Sequence, residues 1–147
     1  MAIFDPAFTP ATINAFGSTG MPAWLGMECL EIGEDFMRMR MPVDHRTHQP
    51  HGLLHGGASV ALGETIGGVC SAAVLGARSD RIAVGLEINA NHVRSVREGH
   101  VIATCRPLHL GRNTHVWDIR VESVDGKLVS VIRLTNAIVP RPVQGAV

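Results

Sequence analysis

Small and apolar residues fill one long stretch of the chain, 57–76, whereas polar and apolar residues alternate over much of the remainder. Glu64 is the one acidic or basic side chain in this stretch. As a helix, the stretch would extend over about 30 Å. A buried, unpaired carboxylate costs several kcal/mol, so we expect Glu64 to be paired, neutralised or used in chemistry. The pattern predicts a central helix that organises the chain.

One face of this helix is predicted to be small. Helical spacing places five residues on it: Val60, Glu64, Gly67, Gly68 and Ser71. Gly63, Gly67 and Gly68 each cost about 1 kcal/mol of helix stability relative to alanine. Close approach of another backbone or of a ligand usually compensates for such a cost.

Three other interpretations of the stretch stay open. Its length and the spacing of Gly63 and Gly67 are typical of a transmembrane helix, which Glu64 at its centre disfavours. A structural Glu64 would pair with an arginine elsewhere in the chain. A solvated face is disfavoured because no other charge shares it.

The segments before the helix predict a short helix and a hairpin. Thr9 is the expected N-cap, Pro10 the first helical residue and Gly17 the end, followed by a loop over 18–22. Strands are expected over 27–32 and 36–43. In the second strand three methionines alternate with two arginines: Met37, Met39 and Met41 with Arg38 and Arg40. Such alternation indicates a half-buried strand.

The segments after the helix predict four strands in hairpin succession: 82–93, 101–108, 115–122 and 128–139. In the first of them, the even-numbered residues from Ile82 to His92 are expected to share one face, towards the core or the helix. One long helix packed on one face of an antiparallel sheet is an α+β fold. We expect a single domain, 1–147, with a helix and loop over 1–20 and a loose tail over 140–147.

Composition and charge narrow the function. The 147 residues have a net charge of zero, which gives no electrostatic reason to expect nucleic acid as a partner. Three widely spaced cysteines fit neither a disulfide framework nor a metal motif, so we expect a cytoplasmic protein. Four histidines lie near the loop 44–54: His45, His48, His51 and His55. Pro50 and Gly52 break a helical ligand register, so we predict no metal site.

The predicted helix start offers backbone donors. The glycines of the 52–57 segment would let free N–H groups approach a ligand, and a helix N-terminus carries about half a positive charge. Such donors suit an oxyanion that develops on a carbonyl. Glu64, two turns along, would act on that carbonyl as a nucleophile or as a general base. The spacing indicates acyl transfer.

Three motifs carry a resemblance to a known family: QPHGLLHGGASVALGETIG, GLEINANHVRS and CRPLHLGR. They resemble the hotdog-fold acyl-CoA thioesterases, in the branch of the 1,4-dihydroxy-2-naphthoyl-CoA, enterobactin-proofreading and Arthrobacter-type 4-hydroxybenzoyl-CoA thioesterases. The resemblance covers about 27–139. It implies a long helix wrapped by an antiparallel sheet, and hydrolysis of an aromatic or medium-chain acyl-CoA without a cofactor beyond the coenzyme A of the substrate.

The resemblance also implies roles for individual residues. Glu64 matches the catalytic carboxylate, and the Gly56 N–H matches the donor that polarises the thioester carbonyl, supported by His55. Gly57 and Gly68 are expected to bind the substrate. Gln49 and His92 match polar residues near the reacting centre. The candidates for holding the phosphates of coenzyme A are Arg94, Arg97 and Arg112. Two subunits are expected to build each site, so the resemblance implies a homodimer, usually doubled to a homotetramer.

Gly68 departs from the family pattern. The branch commonly carries serine or threonine four residues after the carboxylate, so a hydroxyl that would orient water is missing and the acyl pocket would be larger.

Two other functions stay open. A hotdog-fold 3-hydroxyacyl thioester dehydratase or hydratase would also pair a histidine with a helix carboxylate, and a non-catalytic acyl-CoA-binding protein would bind without turnover.

Overall fold

A single antiparallel sheet wraps one long helix in the computed structural model, which describes residues 1–143. The helices are α1 (Pro10–Phe16), α2 (Gly20–Trp24) and α3 (Gly56–Leu75). The strands are β1 (Glu28–Ile32), β2 (Met37–Pro42), β3 (Arg81–His92), β4 (His100–Leu110), β5 (Thr114–Ser123) and β6 (Leu128–Pro140). The strand order is β1-β2-β4-β5-β6-β3, and every neighbouring pair is antiparallel. The predicted α+β hotdog architecture is confirmed.

The N-terminal segment is partly as predicted. Thr9 caps α1: its side chain accepts from the Thr12 N–H at 3.2 Å, while its own N–H donates to the Thr12 hydroxyl at 2.9 Å. The loop predicted over 18–22 is wrong, because α2 begins at Gly20. Pro22 lies in the first turn of α2, where a missing N–H costs no helical hydrogen bond.

The β1–β2 hairpin is confirmed, and its alternation sorts the side chains as expected. The three methionines of β2 are buried in the core, together with Trp117 of β5 and Leu62 of α3. Its two arginines face outward, where Arg38 pairs with Glu31 at 3.4 Å and Arg40 with Glu28 at 2.7 Å.

The predicted hairpin succession is wrong for β3. This strand pairs with β6 and not with β4, because β4 is already flanked by β2 and β5. As a result β3 is an edge strand.

The loose tail predicted from residue 140 is also wrong at its start, since Pro140 belongs to β6 and lies opposite Arg81. Residues 144–147 lie outside the described part of the chain.

A β-bulge interrupts β3 and overturns the prediction that all its even positions share one face. Gly85 lies opposite Asn136 and Glu87 opposite Thr135, so Leu86 is an extra residue. The bulge shifts the alternation by one position. Before the bulge, the odd-numbered residues Ala83 and Gly85 face the helix. After the bulge, the even-numbered residues from Ile88 to His92 face it. Val84 and Leu86 are exposed by 47% and 66%.

Close packing against side chains of β6 accounts for two of the helix glycines. A Cβ at Gly63 would stand 2.9 Å from the Ile132 side chain, and one at Gly67 would collide with Leu134. The helix therefore lies directly on β6. Although α3 is long and apolar enough to cross a membrane, half of it is buried inside the fold, as in the core helix of a globular domain.

Candidate active site

The loop before α3 is held in place by backbone hydrogen bonds. The His55 N–H donates to the Thr47 carbonyl and the Leu54 N–H to the Val96 carbonyl, both at 2.8 Å. At its start, Asp44 accepts from the side chain and backbone of Arg46, and these bonds hold the pKa of the Asp44 carboxyl well below its usual range. The loop is therefore a fixed support for the residues that precede the helix.

Three of the four N-terminal N–H groups of α3 have partners. The Gly57 N–H donates to Nδ1 of His55 at 2.8 Å. The N–H groups of Ala58 and Ser59 donate to the His55 carbonyl at 2.9 and 3.3 Å. The Gly56 N–H has no acceptor within residues 1–143. His55 thus caps the helix and leaves one donor for a ligand.

That donor borders a cavity of about 330 Å³. The cavity is lined by residues from the loop, the helix start, the end of β3 and the segment after it, among them Gln49, Gly56, Ser59, His92, Arg94 and Ser95. The side-chain oxygen of Gln49 accepts from the His51 N–H, which leaves the amide NH2 of Gln49 as a donor. Three groups predicted to lie near the reacting centre, Gln49, Gly56 and His92, are therefore brought together.

His92 lies directly against the helix start. A Cβ at Gly56 would stand 2.6 Å from Nε2 of the ring, and Nδ1 is 3.1 Å from the Ser130 hydroxyl. The predicted inward position of His92 is confirmed, because His92 is opposite Ser130 on the helix side of the sheet. Ser130 was missed by sequence reasoning, since its role follows from a strand pairing that alternation does not reveal.

Glu64 lies apart from this cavity. It is eight residues beyond Gly56, or about 12 Å along the helix axis. Its side chain is exposed and reaches the backbone of β3 at the bulge, where a side chain at Gly85 would collide with the carboxylate. Within residues 1–143 no arginine or lysine pairs with Glu64. Within the described residues of one chain, Glu64 is therefore neither buried nor held in the structural ion pair with an arginine.

Gly85 is a second site residue that sequence reasoning missed. A glycine inside a strand often marks a bulge or a close approach, and this signal was available in the sequence. Here it marks both, because the bulge turns the backbone of Gly85 towards the Glu64 carboxylate.

The three candidate arginines lie in different places. Arg94 lines the cavity at the helix start. Arg97 is exposed nearby, and its carbonyl is 2.7 Å from Nε2 of His48. Arg112 is at the β4–β5 turn, where its carbonyl accepts a hydrogen bond from the Arg81 side chain. Arg81 begins β3, whereas His92 ends it. In one subunit, therefore, Arg112 is not part of the same cavity as Arg94.

The histidines of the loop do not form a metal-binding set. Across the described residues, 1–143, no group of three histidine, cysteine, aspartate or glutamate side chains is arranged to hold a metal ion. The loop histidines have other contacts: His48 meets the Arg97 carbonyl, and His55 caps α3.

Comparison with known proteins places these features in a family. The profile of the Thioesterase superfamily matches residues 51–130, which include α3 and most of the sheet. The chain is 48% identical to the 1,4-dihydroxy-2-naphthoyl-CoA hydrolase of Escherichia coli K12 over 136 residues, 92% of this chain and 98% of that protein.

Solved structures agree with the sequence comparison. A thioesterase from Pseudomonas aeruginosa, with glutamine 49 replaced by alanine, superposes with a TM-score of 0.91 at 42% identity, covering 95% of this chain and 99% of that one. A thioesterase from Staphylococcus aureus superposes at 0.78 and 40% identity, covering 83% of this chain and all of that one. Its structure was solved with one glutamine replaced and with one glutamate replaced, at positions 15 residues apart. Gln49 and Glu64 have the same separation.

Proposed function

This chain belongs to the thioesterase superfamily and is an acyl-CoA thioesterase, and we propose that it hydrolyses an aromatic or medium-chain acyl-CoA with Glu64 and the Gly56 N–H. The relatives are named as thioester hydrolases, which favours hydrolysis over hydration or binding alone. The aromatic substrate class is supported by the naphthoyl-CoA hydrolase relative.

The free N–H of Gly56 is the observation that carries the proposal. It is the one N-terminal donor of α3 that His55 leaves unpaired, and it borders a cavity. A thioester carbonyl seated there would receive this hydrogen bond, and the helix dipole would stabilise negative charge on its oxygen. The amide of Gln49 is a second candidate donor on the same wall.

Glu64 supplies the other half of the chemistry by one of two routes. As a general base, it takes a proton from water while the water oxygen bonds to the carbonyl carbon. As a nucleophile, its own oxygen forms that bond, and water then cleaves the resulting anhydride. In both routes the carbon–sulfur bond breaks and coenzyme A leaves as a thiolate. The attacking water supplies the proton that the thiolate takes up, and its oxygen ends in the carboxyl group of the free acid or of Glu64. Neither route requires a metal or redox cofactor.

Two subunits are needed to bring these groups together. Glu64 and Gly56 of one chain are about 12 Å apart along α3, too far to act on one carbonyl. Glu64 lies beside the edge strand β3, whose unpaired backbone and exposed Val84 and Leu86 offer a surface for a second copy. We propose a homodimer through β3 in which Glu64 faces the helix start of the other subunit. Doubling to a homotetramer remains part of the proposal.

Binding of the coenzyme A portion follows from charge. Arg94 lines the cavity and Arg97 is exposed next to it, so both are placed to contact phosphates at its mouth. Arg112 would join them only from the other subunit.

The three cysteines are free and buried, which supports the proposal of a reducing, cytoplasmic location.

Thiol release from a panel of aromatic, medium-chain and short acyl-CoAs tests the proposal. Glu64→Gln should lower kcat by about 10²-fold or more, because the carboxylate acts in the transition state. Its melting temperature should hold, because Glu64 is exposed and unpaired within the described residues. Glu34→Gln, an exposed carboxylate at the β1–β2 turn, is the matched control and should keep full activity.

The assay is not disturbed by the thiols of the protein. Burial raises the pKa of the Cys29 thiol to about 11, and Cys70 and Cys105 are fully buried.

A folded Glu64→Gln variant with wild-type turnover would overturn the role of Glu64. Hydration of crotonyl-CoA without thiol release would instead identify a hydratase.

A further inference from the structure

Ser59 carries a buried hydroxyl that has no hydrogen-bond partner among residues 1–143. The residue is 1% exposed, and its side chain neither donates nor accepts a hydrogen bond within this part of the chain. Every described side-chain oxygen or nitrogen that is sealed from the surface has a partner. The Ser59 hydroxyl is therefore not sealed: it opens onto the cavity that Ser59 lines at the start of α3.

The other hydroxyls of α3 are satisfied in the usual ways. Oγ1 of Thr65 donates to the Ala61 carbonyl, four residues back, at 2.7 Å. The Ser71 hydroxyl accepts from two side chains of the sheet. In Ser59 only the backbone N–H donates to the carbonyl of His55, and the hydroxyl does not. A buried hydroxyl without a partner is costly, so one that persists in a native fold calls for a specific reason.

Ser59 lies beside the free backbone donor of the helix. It is three residues after Gly56, so the two residues share a helix face, and side chains in a helix lean towards its N-terminus. Both residues line the cavity of about 330 Å³. The Ser59 hydroxyl and the Gly56 N–H therefore face the same space, and one oxygen atom seated between them would accept from both.

The neighbouring imidazole offers an acceptor to this space and not a donor. The Ser130 hydroxyl is 3.2 Å from the Asn91 carbonyl and 3.1 Å from Nδ1 of His92. A carbonyl only accepts, so the Ser130 proton goes to Asn91, and Nδ1 of the neutral ring donates to the Ser130 oxygen. Nε2, the nitrogen next to Gly56, then carries no proton. A substrate carbonyl must take its hydrogen bonds from the helix start and the loop.

We propose that the Ser59 hydroxyl is a further catalytic group, which donates a hydrogen bond to the thioester carbonyl oxygen beside the Gly56 N–H. A carbonyl oxygen has two lone pairs, so it accepts both bonds. When the carbonyl carbon is attacked, negative charge develops on this oxygen, and both bonds strengthen while the proton stays on the serine. The third lone pair of the oxyanion leaves a place for the amide of Gln49. The inference rests on the proposed function.

Ser59→Ala removes the hydroxyl and should separate a catalytic role from a structural one. We expect kcat for thiol release from benzoyl-CoA to fall at least about tenfold, with KM changed by less than about twofold. The melting temperature should equal or exceed that of wild type, because no hydrogen bond within the chain is lost and alanine is the better helix former. Thr65→Ala is the matched control, since the hydroxyl of Thr65 is bound to the Ala61 carbonyl, and it should keep kcat within about twofold.

Carbon-13 NMR tests the contact itself. Benzoyl-CoA labelled at the carbonyl carbon is bound to Glu64→Gln, in which turnover should be slow, and to the double variant Glu64→Gln, Ser59→Ala. A hydrogen bond to the oxygen polarises the C=O bond. The carbonyl resonance should therefore differ more from that of free benzoyl-CoA in the single variant than in the double variant.

Wild-type kcat in a folded Ser59→Ala protein would overturn the inference. The same carbonyl resonance in both labelled complexes would also overturn it, because the hydroxyl would then not touch the substrate oxygen. A melting temperature clearly below that of wild type would show that the hydroxyl has a structural partner, which contradicts the inference as well. Absence of thiol release by the wild-type protein from every acyl-CoA of the panel would instead refute the proposed function.

Discussion

A methyl group on Gly56 would stand 2.6 Å from Nε2 of His92, closer than non-bonded atoms approach. The ring is held on its other side by the Ser130 hydroxyl, 3.1 Å from Nδ1. Glycine at residue 56 therefore serves the contact with His92, and it brings the free N–H and the imidazole to the same cavity.

Gly56→Ala should displace His92 while the fold is kept, because the clashing atom is at the end of a side chain. The N–H is retained, so any loss of activity reports on the ring and on the room beside it. We expect kcat/KM for thioester hydrolysis to fall about tenfold or more, with a melting temperature near that of wild type. Steady-state kinetics and thermal denaturation measure both.

The control is the same substitution without the ring. In a His92→Ala background, Gly56→Ala has no imidazole to displace, so the second change should cost little further activity. If the two substitutions lower kcat/KM by independent, multiplying factors, the contact between Gly56 and His92 does not matter for the reaction.

The exposed edge of β3 predicts the quaternary structure. Leu86, the extra residue of the bulge, is 66% exposed. Lysine on an edge strand opposes pairing with a second chain. If the proposed dimer through β3 forms, Leu86→Lys should convert it to a monomer and lower thiol release in parallel, since each proposed site would lose one of its two helices.

Val124→Lys is the matched control, because Val124 is 69% exposed at the β5–β6 turn. It should leave both the oligomeric state and the activity unchanged. Sedimentation measures the first and thiol release the second. A monomeric Leu86→Lys protein with full activity would show that one chain is sufficient for the reaction.

A buried polar cluster joins the helix to the sheet below the site. The Ser71 hydroxyl accepts from Nε1 of Trp117 at 2.8 Å and from Nδ2 of Asn136 at 2.9 Å, and it lies 3.1 Å from Nδ1 of His115. Asn136 also donates to the Gly67 carbonyl and lies opposite Gly85 on β3. The cluster therefore ties α3 to the strands that hold Gly85 against Glu64.

Ser71→Ala should destabilise the fold strongly. The substitution leaves the buried groups of Trp117 and His115 without their partner, and each unsatisfied group costs about 1–3 kcal/mol. We expect a loss of at least about 2 kcal/mol in the free energy of urea unfolding. Ser18→Ala, at an exposed position, should change it by less than about 0.5 kcal/mol. If Ser71→Ala also changed the free energy of unfolding by less than about 0.5 kcal/mol, a water molecule would have to replace the hydroxyl.

Much of the fold was predictable because it depends on local patterns. Thr9 and Gly17 mark the ends of α1, and the methionine alternation of β2 identifies the buried face. The position of β3 was not predictable, because it depends on the pairing of β4 with β2. These two strands are far apart in sequence, and nothing in the sequence of β3 indicates that they pair. The bulge at Leu86 arises from the pairing with β6, although Gly85 inside the strand was a local signal for it.

The candidate site divides in the same way. Gly56, Gln49 and Glu64 could be identified from spacing and resemblance, since they lie on one loop and one helix. The contacts of Glu64 with Gly85 and of His92 with Ser130 required the packed structure. Both depend on which strands pair, and one sequence read locally does not specify this.

The burial of His115 makes stability depend on pH. Burial lowers the pKa of His115, with smaller contributions from His109 and Arg81. The two lone pairs of the Ser71 oxygen accept from Trp117 and Asn136, so its proton is donated to Nδ1 of His115, which must be unprotonated. The folded state therefore binds fewer protons than the unfolded state between the lowered pKa and the ordinary value near 6.5.

This contribution to stability is fully present above about pH 6.5 and is lost as the pH falls through the lowered pKa of the folded protein. We expect the free energy of unfolding to decrease from pH 7.5 to pH 5, and His115→Gln to flatten that dependence while lowering stability at pH 7.5. His51→Gln is the matched control, because the exposed side chain of His51 makes no hydrogen bond or ion pair within the described residues, and its removal should leave the slope unchanged. Urea unfolding at several pH values measures each slope. A wild-type slope in His115→Gln would assign the pH dependence to other groups, whereas a flattened slope would show that the buried cluster carries the proton linkage.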